Sequence, residues 1–534
     1  MTPEQPSSFA MRFLLPSVRN IIFIFLFWSL LAGPLSLRPL ADADIGWHIR
    51  TGELILDSRA LPRTDPFSST MQGQPWFAWE WLYDILLGVL DHACGLNGVV
   101  WLCALLVASI FTFLLSELIR RGTGLLLAIV LMLLAEAAAM IHLYARPHIV
   151  SWLFSLLWFV VLERWERSES SPPPRWVLWF FPVSMLLWVN LHGGWLFGSA
   201  LLATYCIAAF IDSMREPDAL AAIRLARRAR AMAMVWVVSA AATLVNPYSW
   251  RLHLHIYRYL SDRYLMNHIN EFQSPDFHGW AQRSFAMILL LVLIAFAGDR
   301  IASKPKLHLS QILVVLLTAY FGFYSARNLP VSSMLLVLIA GPILWTNFVA
   351  LAEKPRAWRW LRNGVRRVAD FSERMSEQEM ELHGQLWPVA AVALAFAICL
   401  QGGILGSHRL IYARFDDTKV PAAAITFLQR EFHGDPGTDP VFSTDFWGGY
   451  LIFRMYPERK VVLDDRHDLY GEGRIRQYMT LTEAAPGWQT VLEQWQIRTV
   501  LLPAGSTLAN LLRELPQNWH VVYEDQVAVV FEKG

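Results

Sequence analysis

Three groups that can move protons stand close together in ADADIGWHIRTGEL (41–54), just after the first long apolar run: Asp42, Asp44 and His48. A carboxylate set against a hydroxyl is a general base, and an imidazole beside it holds or relays the proton. Asp42 or Asp44 would equally cap the helix that begins near Gly46, because Asp accepts a backbone N–H there. The same residue types recur at four further turns. YARPH supplies Arg146 and His148, WVNLHGGW supplies Asn190 and His192, NPYSWRLH supplies Asn246, Tyr248 and Arg251, and YSARNLP supplies Arg327 and Asn328. Guanidinium groups grip phosphate oxygens in pairs. Arg146, Arg327 and Arg251, with His48 and His192, are therefore candidate ligands of a phosphate, while Glu80, His148 and Asn190 are candidates for holding an acceptor or supporting the rest. Taken singly, the arginines would also serve by reaching toward lipid headgroups. As a set, they call for one polar cavity at one face.

The elements that must position these groups are membrane spans. The chain has 534 residues, 55% hydrophobic and 17% charged, with 24 tryptophans and a mean hydropathy of +0.36, outside the range of soluble domains. A net charge of +1 gives no global field for nucleic acid, which is not an expected partner. Cys94, Cys103, Cys206 and Cys399 are scattered in apolar surroundings without metal-ligand spacing, so neither a disulfide framework nor zinc is expected.

Apolar runs of about 17 to 23 residues, long enough to cross ~30 Å of hydrocarbon, recur near 20–36, 97–119, 124–143, 147–163, 175–191, 194–213, 231–246, 283–298, 307–325, 329–350 and 386–405. That predicts about eleven spans, the first of them retained rather than cleaved. Arginines collect after the even-numbered spans: Arg120 and Arg121, the stretch 163–175, Arg215 to Arg230, 299–306, and EKPRAWRWLRNGVRRVAD. Basic loops stay cytoplasmic. The five polar turns and everything after residue 405 then face the opposite side, which in a bacterial inner membrane is the periplasm. The run 78–95 would reverse this sorting if it were a span, so it is expected to be an interfacial or re-entrant helix kept there by Glu80, Asp84 and Asp91.

The predicted architecture is a transmembrane domain (1–405), with a first outer loop (37–96) and a cytoplasmic linker (351–385), followed by an outer α/β domain (406–534). In the latter VFST, KVVLD, RTVLLP, WHVVY and VAVVFE read as strands, and GGYLIFRMY, GRIRQYMTL, GWQTVLEQW and LANLLREL as helices.

An acidic residue in a long first outer loop, flanked by GWHIRTGELIL and AWEWLYDILLGVL, is similar to the GT-C superfamily of polyprenyl-phosphate-dependent glycosyltransferases. With WVNLHGG, NPYSWR, SARNLP and STDFWGGYLIFRMYPERKVVLDDRHDLYG, the chain more closely resembles bacterial multispan proteins described only as GT-C-like. The resemblance implies a membrane glycosyltransferase that inverts the sugar, taking it from a polyprenyl phosphate or diphosphate to a glycan, lipid or protein acceptor. It assigns the base to Asp44, with Asp42 second. The alternative is a membrane protein that binds or transports a glycolipid without cleaving it. TDFWGGY also resembles, in its aromatic-acidic turn, the acceptor-reading segment of oligosaccharyltransferases, which makes Asp445 and Trp447 acceptor candidates, although Asp445 here precedes the aromatics. No cofactor is certain. Asp42-x-Asp44 has the spacing of metal-dependent relatives, which leaves a divalent ion, Mg or Mn, open.

Overall fold

The computed structural model describes residues 14–168, 174–298, 307–353, 358–382, 384–430 and 439–534. The inner basic loop 299–306 and the start of the linker, 354–357, lie outside them.

Helix α1 (Val18–Leu31) leads through a turn-rich segment into α2 (Ile45–Ser58), and a loop returns to α3 (Trp81–Cys94). The helical body follows as α4 (Leu96–Arg120), α5 (Leu125–Ala139), α6 (His148–Arg167), α7 (Arg175–Leu191), α8 (Trp195–Arg215) and α9 (Ala219–Ala242). After α10 (Trp250–Ser261) and α11 (Arg263–His268) come α12 (Trp280–Gly298), α13 (Leu309–Tyr324), α14 (Leu329–Leu351), α15 (Arg359–Glu381) and α16 (Leu386–Leu400). Helix α14 is buried almost continuously from Leu329 to Trp345, with α5, α12 and α13 against it. An all-round apolar helix of this kind belongs in the middle of a bundle.

The expectation of about eleven spans is not confirmed. Among the described residues six helices are long and apolar enough to cross a membrane, and three apolar helices, α1, α7 and α13, are shorter. Two causes are visible. The run 231–246 is the second half of α9, whose first half carries Arg224, Arg227, Arg228 and Arg230. The run 386–405 stops at Leu400, where Gly402 and Gly403 take positive φ of 70° and 83° and turn the chain. Helices α15 and α16 meet at 67° and would count as a seventh span only as a bent pair.

Close backbone approaches fix the outer part. A Cβ on Gly52 would lie 1.9 Å from the Asp84 carbonyl oxygen, and one on Gly88 would lie 2.7 Å from the Gly52 carbonyl carbon. Helices α2 and α3 therefore touch backbone to backbone, and the run 78–95 is packed against the first outer loop's own helix.

After a short hairpin, β1 (Ile404–Leu405) and β2 (His408–Arg409), and α17 (Ala422–Arg430), the last part comprises β3 (Val441–Ser443), α18 (Asp445–Met455), α19 (His467–Thr482), α20 (Trp488–Gln494), β4 (Thr499–Pro503), α21 (Thr507–Arg513), β5 (Trp519–Glu524) and β6 (Ala528–Lys533). The sheet order is β3-β4-β6-β5, with β3 and β4 parallel and the other pairs antiparallel. KVVLD, expected as a strand, instead makes single bridges from Val461 to Val441 and to Ser68. Its backbone is shared with the first outer loop: Ser69 N–H donates to Val461 O at 2.9 Å and Val461 N–H to Phe67 O at 3.1 Å. Helix α18 seats on the Asp44 turn because Gly449 has no side chain; a Cβ there would lie 2.4 Å from Ala43 O and 2.7 Å from Asp44 Cα.

Candidate functional site

Between the helix ends that carry the polar turns and the C-terminal α/β part lies a cavity of about 220 Å³. It is lined by aromatic rings, among them Trp47, Trp76, Phe77, Trp79, Trp152 and Phe272, and by ionisable groups interleaved with them.

Asp44 stands one residue before α2 and makes no capping hydrogen bond, so the plain helix-cap use does not account for it. Its side chain is 1% exposed and lies 3.2 Å from Arg146 Nη2, while Arg146 Nη1 reaches Asp42 Oδ2 at 2.8 Å. Asp42 also turns the chain, accepting the Asp44 N–H at 3.0 Å. Burial raises the pKa of both carboxyls; beside Asp44, Asp465 and Asp42 add to the effect and Arg146 opposes it. Arg146 Nη1 is shared with Glu271 Oε1 at 3.2 Å, and Glu271 Oε2 faces Arg327 Nη1 at 3.5 Å. Glu271 is held low although burial opposes this, because Arg146 and Arg327 flank it. Nothing in its sequence neighbourhood marks Glu271, since the arginines that recruit it come from other turns.

Trp188 Nε1–H donates to Ser151 Oγ at 2.7 Å, and Ser151 Oγ meets His192 Nδ1 at 2.6 Å, where the Gly194 N–H also donates at 3.0 Å. Two donors converge on Nδ1, so the ring proton of neutral His192 sits on Nε2. That nitrogen faces Glu80 Oε1 at 3.6 Å and Arg327 Nη2 at 3.3 Å. On the other side, Glu80 Oε2 is 3.8 Å from His48 Nε2, and His48 Nδ1 contacts Asp84 Oδ1 at 2.6 Å. Burial lowers both imidazoles, with Arg146 adding to the effect on His48 and Arg327 to that on His192. The Asp42-to-His48 stretch and the HGG turn thus meet across Glu80, which the sequence placed on a different element.

The outer part contributes a chain of groups from DDRH. Asp464 and Asp65 bracket Arg466, at 2.7 and 2.8 Å, and the guanidinium lies over Trp76 at 4.6 Å. Beside it, His467 bridges Asp465 (3.0 Å) and Asp445 (3.1 Å), and Tyr478 O–H donates to Asp445 Oδ1 at 2.7 Å. Burial would lower His467, yet the two carboxylates hold its pKa well above the usual value. Ligand atoms of Asp445, Asp465 and His467 lie within 4.8 Å of one another, a donor set that fits a divalent ion. Asp42 and Asp44 are both engaged with Arg146. The density of titratable groups in DDRHD is the sequence signal for this cluster.

Other candidates fall elsewhere. His148 lines the cavity and its Nε2 meets His142 O at 2.5 Å. Asn190 ties Trp81 Nε1 (2.9 Å) to Val245 O (3.0 Å). Trp447 is buried in the outer part, donating to Lys419 O at 2.7 Å. Arg251 is exposed on α10, in a surface depression with Arg63, Tyr248 and Trp250, apart from the cavity.

The helical body with its appended α/β part shares the fold of solved archaeal oligosaccharyltransferase structures. Among solved structures the apo oligosaccharyltransferase of Archaeoglobus fulgidus matches over 91% of this chain and 69% of its own, with a TM-score of 0.56 at 10% identity. The same archaeal enzyme, AglB, with an inhibitory peptide and a dolichol-phosphate matches with a TM-score of 0.54 over the same shares, at 10% identity. ArnT from Cupriavidus metallidurans aligns over 96% of both chains at 14% identity, with a TM-score of 0.47. No protein-family model and no curated protein matches the sequence.

Proposed function

We propose that this chain transfers a sugar from a polyprenyl phosphate or diphosphate to a glycan, lipid or protein acceptor, with inversion, at the periplasmic face of a bacterial inner membrane. The observation that carries the reading is a cavity lined by two arginines from separate turns, Arg146 and Arg327, with the buried carboxylate of Asp44 held 3.2 Å from Arg146. The acceptor hydroxyl gives its proton to Asp44, and its oxygen attacks C1 of the sugar. The C1–O bond to phosphate breaks on the opposite face, and the phosphate departs. A carboxylate whose pKa burial raises is a stronger base for that first step. Arg327, with Arg146 and the His192 Nε2–H, receives the charge that develops on the phosphate. Leu196, Phe197 and Leu260 give the cavity an apolar side for the lipid chain, and the tryptophans give the sugar flat surfaces. When bound, a divalent ion held by Asp445, Asp465 and His467 would supply further positive charge beside Asp44. The sorting of arginines to the other side of the bundle supports the assigned face.

The test is mass spectrometry of envelope glycolipids, polysaccharides and glycoproteins from a strain lacking the gene, complemented with wild type or Asp44→Asn. A loss of one sugar unit, restored by wild type alone, is expected. Unchanged glycans would replace this reading with glycolipid binding or transport. Chelation that abolishes transfer, with recovery on adding Mg or Mn, is the expected sign of the metal.

A further inference from the structure

The mechanism above gives no task to three carboxyls that line the cavity, Glu80, Asp84 and Asp468; Asp84 and Asp468 each contact a histidine closely, whereas Glu80 does not. Glu80 is 8% exposed, lines the cavity, and among the described residues accepts no hydrogen bond on its carboxyl oxygens. Its nearest partners are two imidazole nitrogens, His48 Nε2 at 3.8 Å and His192 Nε2 at 3.6 Å. Asp44 and Glu271, by contrast, each sit against an arginine. His192 Nε2 faces both Glu80 and the Arg327 guanidinium, so Glu80 and the group assigned to phosphate look onto the same point. The Asp84–His48 contact, 2.6 Å long and buried, stands behind it as a second proton-holding pair.

Resting on the reading of the cavity as a lipid-phosphate site, we propose that Glu80 carries the proton that the departing phosphate takes up. Departure turns a singly charged phosphodiester into a phosphomonoester with a second ionisation near pH ~6, and the site has few cations to spare for the extra charge. The Glu80 carboxyl O–H breaks, the proton moves to a phosphate oxygen as the C1–O electron pair withdraws onto phosphate, and Glu80 is left as carboxylate. The acceptor's proton meanwhile rests on Asp44, so charge and protons balance, and exchange with water through the cavity resets both groups. Burial pushes the Glu80 pKa up to about 7, against the opposing pull of Arg327 and Arg146 and with a further push from Asp468 and Glu271. That range lies close to the phosphate's own, the condition under which a shared proton moves readily. The groups facing Glu80 are thus His48 on α2, Asp84 on α3, and, from the turns and the outer part, His192, Arg146, Arg327, Glu271 and Asp468.

The experiment uses the full chain in lipid nanodiscs and farnesyl phosphate as the probe, a phosphomonoester on a short polyprenyl chain that stands for the released product. Affinity is measured from pH 6 to 9, and the 31P shift of the bound probe is recorded at pH 7.5. If Glu80 supplies the proton, wild-type affinity falls by about tenfold per pH unit above neutrality, because each binding event takes up one proton. The bound phosphate then resonates as the monoanion. Glu80→Gln binds with a flat pH profile and a dianionic 31P shift, whereas Glu80→Asp keeps the wild-type behaviour. A wild-type slope retained in Glu80→Gln, or a dianionic bound phosphate in the wild type, overturns the proposal, and the second result decides even if Glu80→Gln does not accumulate. Absence of farnesyl phosphate binding in the wild type counts against the lipid-phosphate reading itself and removes the proposal with it.

Discussion

Helix α6 carries a buried ion cluster at each end, and the two are built differently. At its inner end, Glu163 Oε2 accepts from Arg121 at 3.1 Å, Arg167 at 2.8 Å and Gln311 at 3.2 Å, while Oε1 accepts from Tyr205 O–H at 2.9 Å. Glu117 accepts from Arg164 at 2.7 Å and from Arg120. Several arginines that the sequence presents as generic inner-loop charge are thus partners of buried glutamates. At the outer end, both Asp44 oxygens, Asp84 Oδ2 and His48 Nε2 have no hydrogen-bond partner among the described residues. Unmet buried polar atoms cost free energy. The inner network, in which Arg121 Nε alone lacks a hydrogen-bond partner among the described residues, fixes the fold, and one left more open around a cavity is finished by what binds there.

The difference is sharpest in Asp44→Asn. The amide keeps the size and polarity of the side chain but cannot take a proton, so sugar transfer should fall by about 10³-fold or more while expression and melting temperature stay near wild type. A collapse of folding instead would place Asp44 with the inner cluster as a structural group. Arg327→Ala comes next. Its guanidinium is only partly buried and lies over the Phe272 ring at 5.4 Å, so the donor KM should rise by about 10- to 100-fold, as expected for a lost charge-assisted contact worth roughly 1.5–3 kcal/mol. An unchanged KM would take Arg327 out of the phosphate site.

Glu163→Gln probes the other side of the comparison. Breaking a buried ion pair by neutralising one partner typically costs about 3–5 kcal/mol, and here it leaves Arg121 and Arg167 facing an amide. The expected outcome is lower accumulation and a lower melting temperature, with turnover per folded molecule preserved. Turnover that falls without loss of stability would show that the inner end is coupled to the chemistry.

How far the site was legible in sequence follows the same division. The outer turns announced themselves because YARPH, LHGG and SARNLP place ionisable residues where spans end, and Asp42, Asp44, Arg146, His192 and Arg327 do converge. Glu271 was invisible as a site residue because its arginine partners lie on distant turns and only the fold brings them near. KVVLD has a strand's β-branched apolar run but divides its backbone hydrogen bonds between Val441 and the first loop. Periodicity reports which face is buried, not which neighbour buries it. The span count is left unconfirmed where charge enters α9 and where Gly402 and Gly403 end the last apolar run. Apolar length alone does not say how much of a run is helix.

Arg251→Ala should have the smallest effect, and it separates residue type from placement. Arg251 belongs to the same sequence pattern as Arg146 and Arg327, an arginine at the outer end of an apolar run. Helix α10 nevertheless turns it to the surface beside Arg63 and Tyr248 rather than into the cavity. Exposed substitutions of this kind usually change stability by no more than about 0.5 kcal/mol, and without contact to the cavity there is no route to the phosphate. Transfer rate and donor KM should stay within about twofold of wild type. A loss of donor affinity like that of Arg327→Ala would mean that α10 swings inward when the donor binds. The pattern of arginines along the outer turns would then report the site more faithfully than their positions in the unliganded fold.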